Sequence, residues 1–173
     1  MDFFLIGIIS YLMGSIPFGL LLTKIFLKKD IREIGSGNIG ATNVLRAGNK
    51  TIGYITLILD ILKAVAPVIY VKIFYQDFLY ISSLCAFLGH VFPVWLKFKG
   101  GKGVATYVGI LFAINFYLGL IFTFSWFITF FISRYSSLSS LMGAASIPIY
   151  LLMVLALAGL STITKFISYK LLK

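Results

Sequence analysis

Two glycine-rich segments hold most of the residues that could do chemistry in this 173-residue chain. The first runs Gly35-Ser36-Gly37-Asn38-Ile39-Gly40-Ala41-Thr42-Asn43-Val44-Leu45-Arg46. Small residues let the backbone curl so that successive N–H groups face one point, and that makes an anion cradle. Ser36, Asn38, Thr42 and Asn43 add side-chain donors, and Arg46 adds a planar fork that matches phosphate oxygens. Gly, Ser and Asn are turn residues in any case, so a plain loop is the competing reading. No acidic residue occurs from 34 to 50, whereas a merely solvated loop would mix signs. The second segment is Gly100-Gly101-Lys102-Gly103, followed by Val104-Ala105-Thr106. Lys102 stands just before an expected helix, whose N-terminus already favours anions. The spacing is not that of a Walker A loop. A basic loop at a membrane surface would have the same composition.

Three further residues are candidates whose roles the sequence leaves open. Asp60 and Lys63 sit three apart within one apolar run, on one helical face. Charges inside a membrane are costly and usually functional, but a mutually neutralising pair that fixes packing accounts for them equally well. His90, the single histidine, lies in Gly89-His90-Val91-Phe92-Pro93, where packing and function are both open. Gly14-Ser15-Ile16-Pro17-Phe18-Gly19 reads as a kink or a close helix contact. Of Ser136, Ser137, Ser139 and Ser140, three read as a helix cap and turn. One Cys (Cys85) and one His make a metal site or a disulfide framework improbable for this chain alone.

The elements that must position these residues follow from composition. The chain is 60% hydrophobic and 12% charged, with a mean hydropathy of +1.03. A soluble domain carries about 25% charge, so an ordinary soluble globule and a disordered chain are both excluded. A net charge of +10 on a membrane protein points to anionic lipid or phosphorylated partners, and nothing points to nucleic acid. A spanning helix needs about 20 apolar residues. Stretches 3–27, 52–74 and 78–96 each fit one span. Stretch 104–133 fits two short helices broken near Ile114–Tyr117, and 141–169 fits a second hairpin turning near 155–160. The expected fold is therefore an all-α integral membrane protein of about seven helices, one polytopic domain over 1–173. Met1-Asp2 offers no basic leader region, so no cleaved signal peptide is expected. Lys and Arg gather in loops 28–50 and 97–103, at Arg134 and at Lys170 and Lys173. The positive-inside rule then puts the N-terminus outside, and the C-terminus and both glycine loops in the cytoplasm. Lys72 alone falls on the other side and is expected to snorkel.

The chain resembles the bacterial acyl-phosphate:glycerol-3-phosphate acyltransferases, the PlsY family. Gly14–Gly19, Gly35–Arg46, Gly89–Pro93 and Gly100–Thr106 carry the resemblance, and Arg134–Ser140 extends it. The resemblance implies a seven-span enzyme of the bacterial plasma (inner) membrane whose active site faces the cytoplasm. It implies acyl transfer from acyl phosphate to the 1-hydroxyl of sn-glycerol 3-phosphate, without cofactor or metal. The products would be lysophosphatidic acid and phosphate, and a phosphate acyltransferase supplying the acyl phosphate would be a partner. Under this resemblance Lys102, Arg46 and Ser36 are expected at the reacting groups. Gly37, Asn38, Gly40, Thr42, Asn43, Gly100, Gly101, Gly103 and Ser140 are expected to hold substrate. The family's third motif, with a basic residue, a His and an Asn at the end of the last span, has no counterpart: no His or Asn follows Asn115. A weakened paralogue that binds phospholipid precursors and a small anion transporter are the alternative readings.

Overall fold

The computed structural model describes residues 2–171, and all regular structure among them is helical. Two compact units form, Met1–Gly119 and Leu120–Lys173. In the first unit the chain enters as α1 (Asp2–Gly14), breaks at Ser15-Ile16-Pro17 and resumes as α2 (Phe18–Leu22). The break follows from Pro17, which has no N–H and disfavours helical geometry at the residue before it. Past α2 the helix widens into a π-helical turn over Thr23–Leu27, where the Thr23 hydroxyl donates to the Gly19 and Leu20 carbonyls. A short helix α3 (Ala41–Arg46) follows the first glycine segment, then α4 (Lys50–Phe74) and α5 (Leu79–Val91). The Asn49 side chain starts α4 by accepting from the Ile52 N–H at 2.8 Å.

Close backbone approach holds these helices together. A Cβ on Gly14 would run into the Ala86 backbone, and one on Gly89 into the Tyr11 carbonyl, so α1 and α5 cross at two small residues. Ser10 and Ser82 share a buried hydrogen bond of 2.8 Å across the same interface. Ala64 and Val68 of α4, Leu79 and Ala86 of α5 and Ile110 and Ala113 of α6 (Val104–Ile114) form a core of mostly small residues.

The break expected in 104–133 is present. Helix α6 stops at Ile114, and α7 (Phe116–Ser133) starts one residue later. Asn115 separates them, and its side chain accepts from the Tyr117 N–H at 2.8 Å, as an N-cap does. In the second unit α7 turns at Arg134, which adopts φ 61°, into α8 (Ser136–Leu171). The Ser-rich turn is shorter than expected, because Ser136 to Ser140 already belong to α8.

Stretch 141–169 departs from expectation. The hairpin with its turn near 155–160 does not form, and α8 is one continuous helix of 36 residues. The local sequence supplies the reason: Leu155-Ala156-Leu157-Ala158-Gly159-Leu160 is built from strong helix formers. A single Gly costs only about 1 kcal/mol, too little to stop a helix without a proline or a capping residue. Five helical segments are long and apolar enough to cross a membrane, and α6 is a shorter apolar helix. The described residues thus hold six apolar helical segments, five of them of spanning length, where about seven spans were expected. Lys72 does not snorkel freely; its ammonium donates at 2.9 Å to the Ala113 and Ile114 carbonyls and caps the end of α6.

Candidate functional site

The first glycine segment is shaped from within by Asn43. Its side chain is fully buried, and Nδ2 lies 2.9–3.1 Å from the carbonyls of Ile31, Ile34 and Asn38. Its Oδ1 accepts the Ser36 N–H at 2.9 Å. Both amide hydrogens are committed to the loop's own carbonyls, so Asn43 acts as the organiser of the segment rather than a free donor. Asn38 folds back in the same manner, its Oδ1 accepting the Gly40 N–H at 2.8 Å. Gly37 closes a turn onto the Ile34 carbonyl at 3.0 Å. Ser36, Gly37, Thr42 and Arg46 are exposed. Beneath them Ile31, Ile39 and Val44 are buried with Leu20 and Ile52, which anchors the polar loop to the helices.

The basic residues near this loop divide into engaged and available ones. Asp30 accepts from Arg32 through Nε at 2.9 Å and Nη2 at 2.6 Å, and lies 3.3 Å from the Lys24 ammonium. The hydrogen-bonded Arg32 guanidinium holds the Asp30 carboxyl well below the usual carboxylate range. Among the described residues Arg46 and Lys102 form no ion pair. Their charges are therefore available to a ligand.

The second segment lies against the first unit's interior. The N–H groups of Gly100 and Gly101 donate to the Val91 and His90 carbonyls at 3.0 and 3.1 Å. Gly101 is pressed so closely on the His90 ring that no Cβ would fit. Lys102 follows, exposed, and Gly103, at φ 77°, caps the start of α6. Leu96, just upstream, packs against the apolar cluster under the first glycine segment. The two connectors that carry Arg46 and Lys102 are thereby brought to the same end of the unit.

Asp60, Lys63 and His90 form a buried cluster. The Lys63 ammonium lies 2.8 Å from Asp60 Oδ1 and donates to the Ile16 carbonyl at 2.7 Å. That carbonyl sits at the proline break between α1 and α2. His90 Nδ1 lies 3.7 Å from the same Asp60 oxygen and has no hydrogen-bond partner among the described residues. The Thr106 hydroxyl donates to the Asp60 carbonyl at 3.2 Å. Trp95 Nε1 donates to Ser15 Oγ at 2.7 Å, and that hydroxyl in turn donates to the Leu12 carbonyl. Sequence reasoning did not single out Trp95, and it quoted Ser15 and Thr106 within motifs without giving either a role. The available signal was the Ser-Ile-Pro break, since a broken helix leaves backbone groups that need partners from elsewhere.

Ser140 belongs to the second unit. Its hydroxyl donates to the Ser136 carbonyl at 2.8 Å and accepts from Trp126 Nε1 at 3.3 Å. That places it on the α8 face turned to α7.

A helical chain built to cross a membrane several times, with two cation-bearing glycine connectors at one end of its first unit, has the outline of a multi-pass membrane protein that handles anions. It belongs to the glycerol-3-phosphate acyltransferase family, which it matches over residues 4–172. A glycerol-3-phosphate acyltransferase of Pelagibacter ubique is 70% identical over 152 residues, covering 88% of this chain and 80% of that protein. One of Bartonella henselae is 53% identical, covering 84% of this chain and 72% of the relative. The crystal structure of PlsY (YgiH), described as an integral membrane glycerol 3-phosphate acyltransferase, matches in its glycerol 3-phosphate form with a TM-score of 0.82. Its identity is 39%, over 89% of this chain and 78% of that one. The lysophosphatidic acid form of the same protein matches with a TM-score of 0.79.

Proposed function

We propose that this chain transfers a fatty acyl group from acyl phosphate to the 1-hydroxyl of sn-glycerol 3-phosphate, yielding lysophosphatidic acid and inorganic phosphate. The single observation that carries this reading is the packing of Leu96 against the cluster formed by Leu20, Ile31, Ile39, Val44 and Ile52. It brings the Lys102 connector and the Arg46 loop to one end of the unit, as a site for two phosphorylated substrates requires. The forms in which the related PlsY structure was solved, with glycerol 3-phosphate and with lysophosphatidic acid, support the acceptor and the product.

Acyl phosphate is a mixed anhydride with a good leaving group, so the acceptor hydroxyl attacks the acyl carbon directly and no covalent enzyme intermediate is needed. The new ester C–O bond forms as the C–O bond to phosphate breaks. The hydroxyl proton passes to a substrate phosphate oxygen. What remains for the protein is positioning and charge stabilisation. Arg46 and Lys102 bind phosphate and offset the developing charge. The Ser36, Gly37 and Gly40 N–H groups are spent within the loop, so the Ser36 and Thr42 hydroxyls and the Asn38 amide nitrogen supply the donors, and Asn43 holds the backbone in shape. Gly100, Gly101 and Gly103 let the connector fold tightly against α5 and so set where Lys102 meets the phosphate. The glycine loops face the cytoplasm of a bacterial plasma membrane, the acyl chain lies among lipid-facing helices, and a phosphate acyltransferase supplies the donor.

Purified protein incubated with acyl phosphate and glycerol 3-phosphate is expected to release phosphate and form lysophosphatidic acid, and Lys102→Ala is expected to abolish both. Binding without turnover in the unaltered protein would replace this reading by that of a weakened paralogue.

A further inference from the structure

The Asp60–Lys63–His90 cluster joins three segments that are far apart in sequence. Lys63 holds the Ile16 carbonyl at the break between α1 and α2. Asp60 neutralises Lys63 at 2.8 Å, and its own main-chain carbonyl accepts from Thr106 in the first turn of α6. His90 faces Asp60 on one side, and on the other its ring lies directly against Gly101, the residue before Lys102. The side chains of Asp60, Lys63 and His90 are each at most 4% exposed. Three ionisable groups at such burial are costly, and replacing them with well-packed apolar residues is often neutral or stabilising. Their placement under the Lys102 connector gives them a use beyond packing.

We propose that this cluster is a positioning device for Lys102. The Asp60–Lys63 pair fixes His90, and the His90 ring fixes the height of Gly101 and so of the Lys102 ammonium over the phosphate site. None of the three touches substrate; each acts through the connector. The inference rests on the acyltransferase reading for its kinetic consequence only.

Two measurements test it. The first is the kinetics of Asp60→Asn, a near-isosteric change, in protein that elutes as a single species. Its kcat/KM is expected to fall by about 10–100-fold, the range expected when a supporting group is lost and a reacting group is displaced by about 1 Å. The loss is expected mainly in KM for the phosphorylated substrates. The second measures protection of Lys102 by inorganic phosphate against an amine-reactive reagent, read by mass spectrometry, and needs no turnover. Asp60→Asn is expected to need about tenfold more phosphate for half-protection. Gly101→Ala is expected to weaken protection strongly in the natural chain and only slightly in a His90→Ala background, because the smaller residue leaves room for the new methyl. A cluster that served folding alone would give additive effects for the Gly101 and His90 changes, and that result overturns the proposal. So does folded Asp60→Asn with unchanged protection. If Asp60→Asn does not fold, the Gly101 and His90 pair decides. If the natural chain shows phosphate protection but no turnover, the acyltransferase reading fails while the positioning role stands or falls on protection.

Discussion

At the scale of single residues, the distinction that matters is between cations already spent and cations still available. Arg32 and Arg46 both belong to the basic loop and both are exposed, yet Arg32 is locked to Asp30 through two hydrogen bonds. Arg46→Ala is therefore expected to weaken binding of a phosphorylated substrate by about 1.5–3 kcal/mol, the worth of a charged hydrogen bond. Arg32→Ala is expected to leave that binding nearly unchanged. Equilibrium binding of glycerol 3-phosphate to the two variants checks the contrast, and equal losses would remove Arg46 from its assigned place. Asp30 adds a pH dependence. Its folded pKa is depressed, chiefly by the Arg32 side chain, so its contribution to loop order is complete above the unfolded value of about 3.9. That contribution is lost only as the pH falls from there through the folded pKa. A carboxyl titration followed by nuclear magnetic resonance should show Asp30 protonating well below the ordinary carboxylate range. In an Arg32→Ala variant the midpoint should move back up towards it.

At the scale of elements, the glycine segment that begins the site is held by a side chain the sequence casts in a different role. Asn43 reads as one more phosphate donor, because Asn beside Thr and Gly fits an anion cradle. In the folded chain it satisfies three carbonyls and one N–H of its own loop. Asn43→Leu keeps the number and branching of side-chain heavy atoms and removes the hydrogen bonds, so buried loop carbonyls are left without partners at about 1–3 kcal/mol each. The expected result is faster amide hydrogen exchange over 31–43 together with lost activity, whereas Thr42→Ala should affect activity alone. Composition can place an Asn in a loop, but which partners it meets is set by the loop's closure, and that closure is not local in sequence. The same limit explains Lys72, whose partners at Ala113 and Ile114 lie about forty residues on. It also explains His90, whose contact with Gly101 depends on a turn through Pro93. By contrast, the apolar runs, the break at Asn115 and the shared charge of the two glycine connectors were legible, because each is written in consecutive residues. The Asp60–Lys63 pair was legible for the same reason, being one helical turn apart.

At the scale of the whole molecule, helix length and charge together govern how many times the chain crosses the bilayer. The positive-inside pattern needs loops 28–50 and 97–103 on one face and Gln76-Asp77 on the other, and the alternation of α2, α4 and α5 is consistent with it. The same pattern favours the cytoplasm for Lys165, Lys170 and Lys173. A hairpin in 141–169 would satisfy that preference, but a single α8 would not. At about 1.5 Å per residue, 36 helical residues reach about 54 Å, well beyond a hydrocarbon core of about 30 Å. Such a helix is expected to cross once and to carry its far end to the face opposite Arg134. Local helix propensity thus opposes the charge rule over 155–160, where a single glycine is too weak to turn the chain. Cysteines placed singly at positions 77, 99, 134 and 170 of a Cys85→Ala protein, treated in intact cells with a membrane-impermeant thiol reagent, decide between them. Positions 99 and 134 are expected to be protected and position 77 labelled. With α8 continuous, position 170 is labelled as well. Protection at 170 together with 134 would instead establish a hairpin in the bilayer, returning Lys170 to the face that holds Arg134.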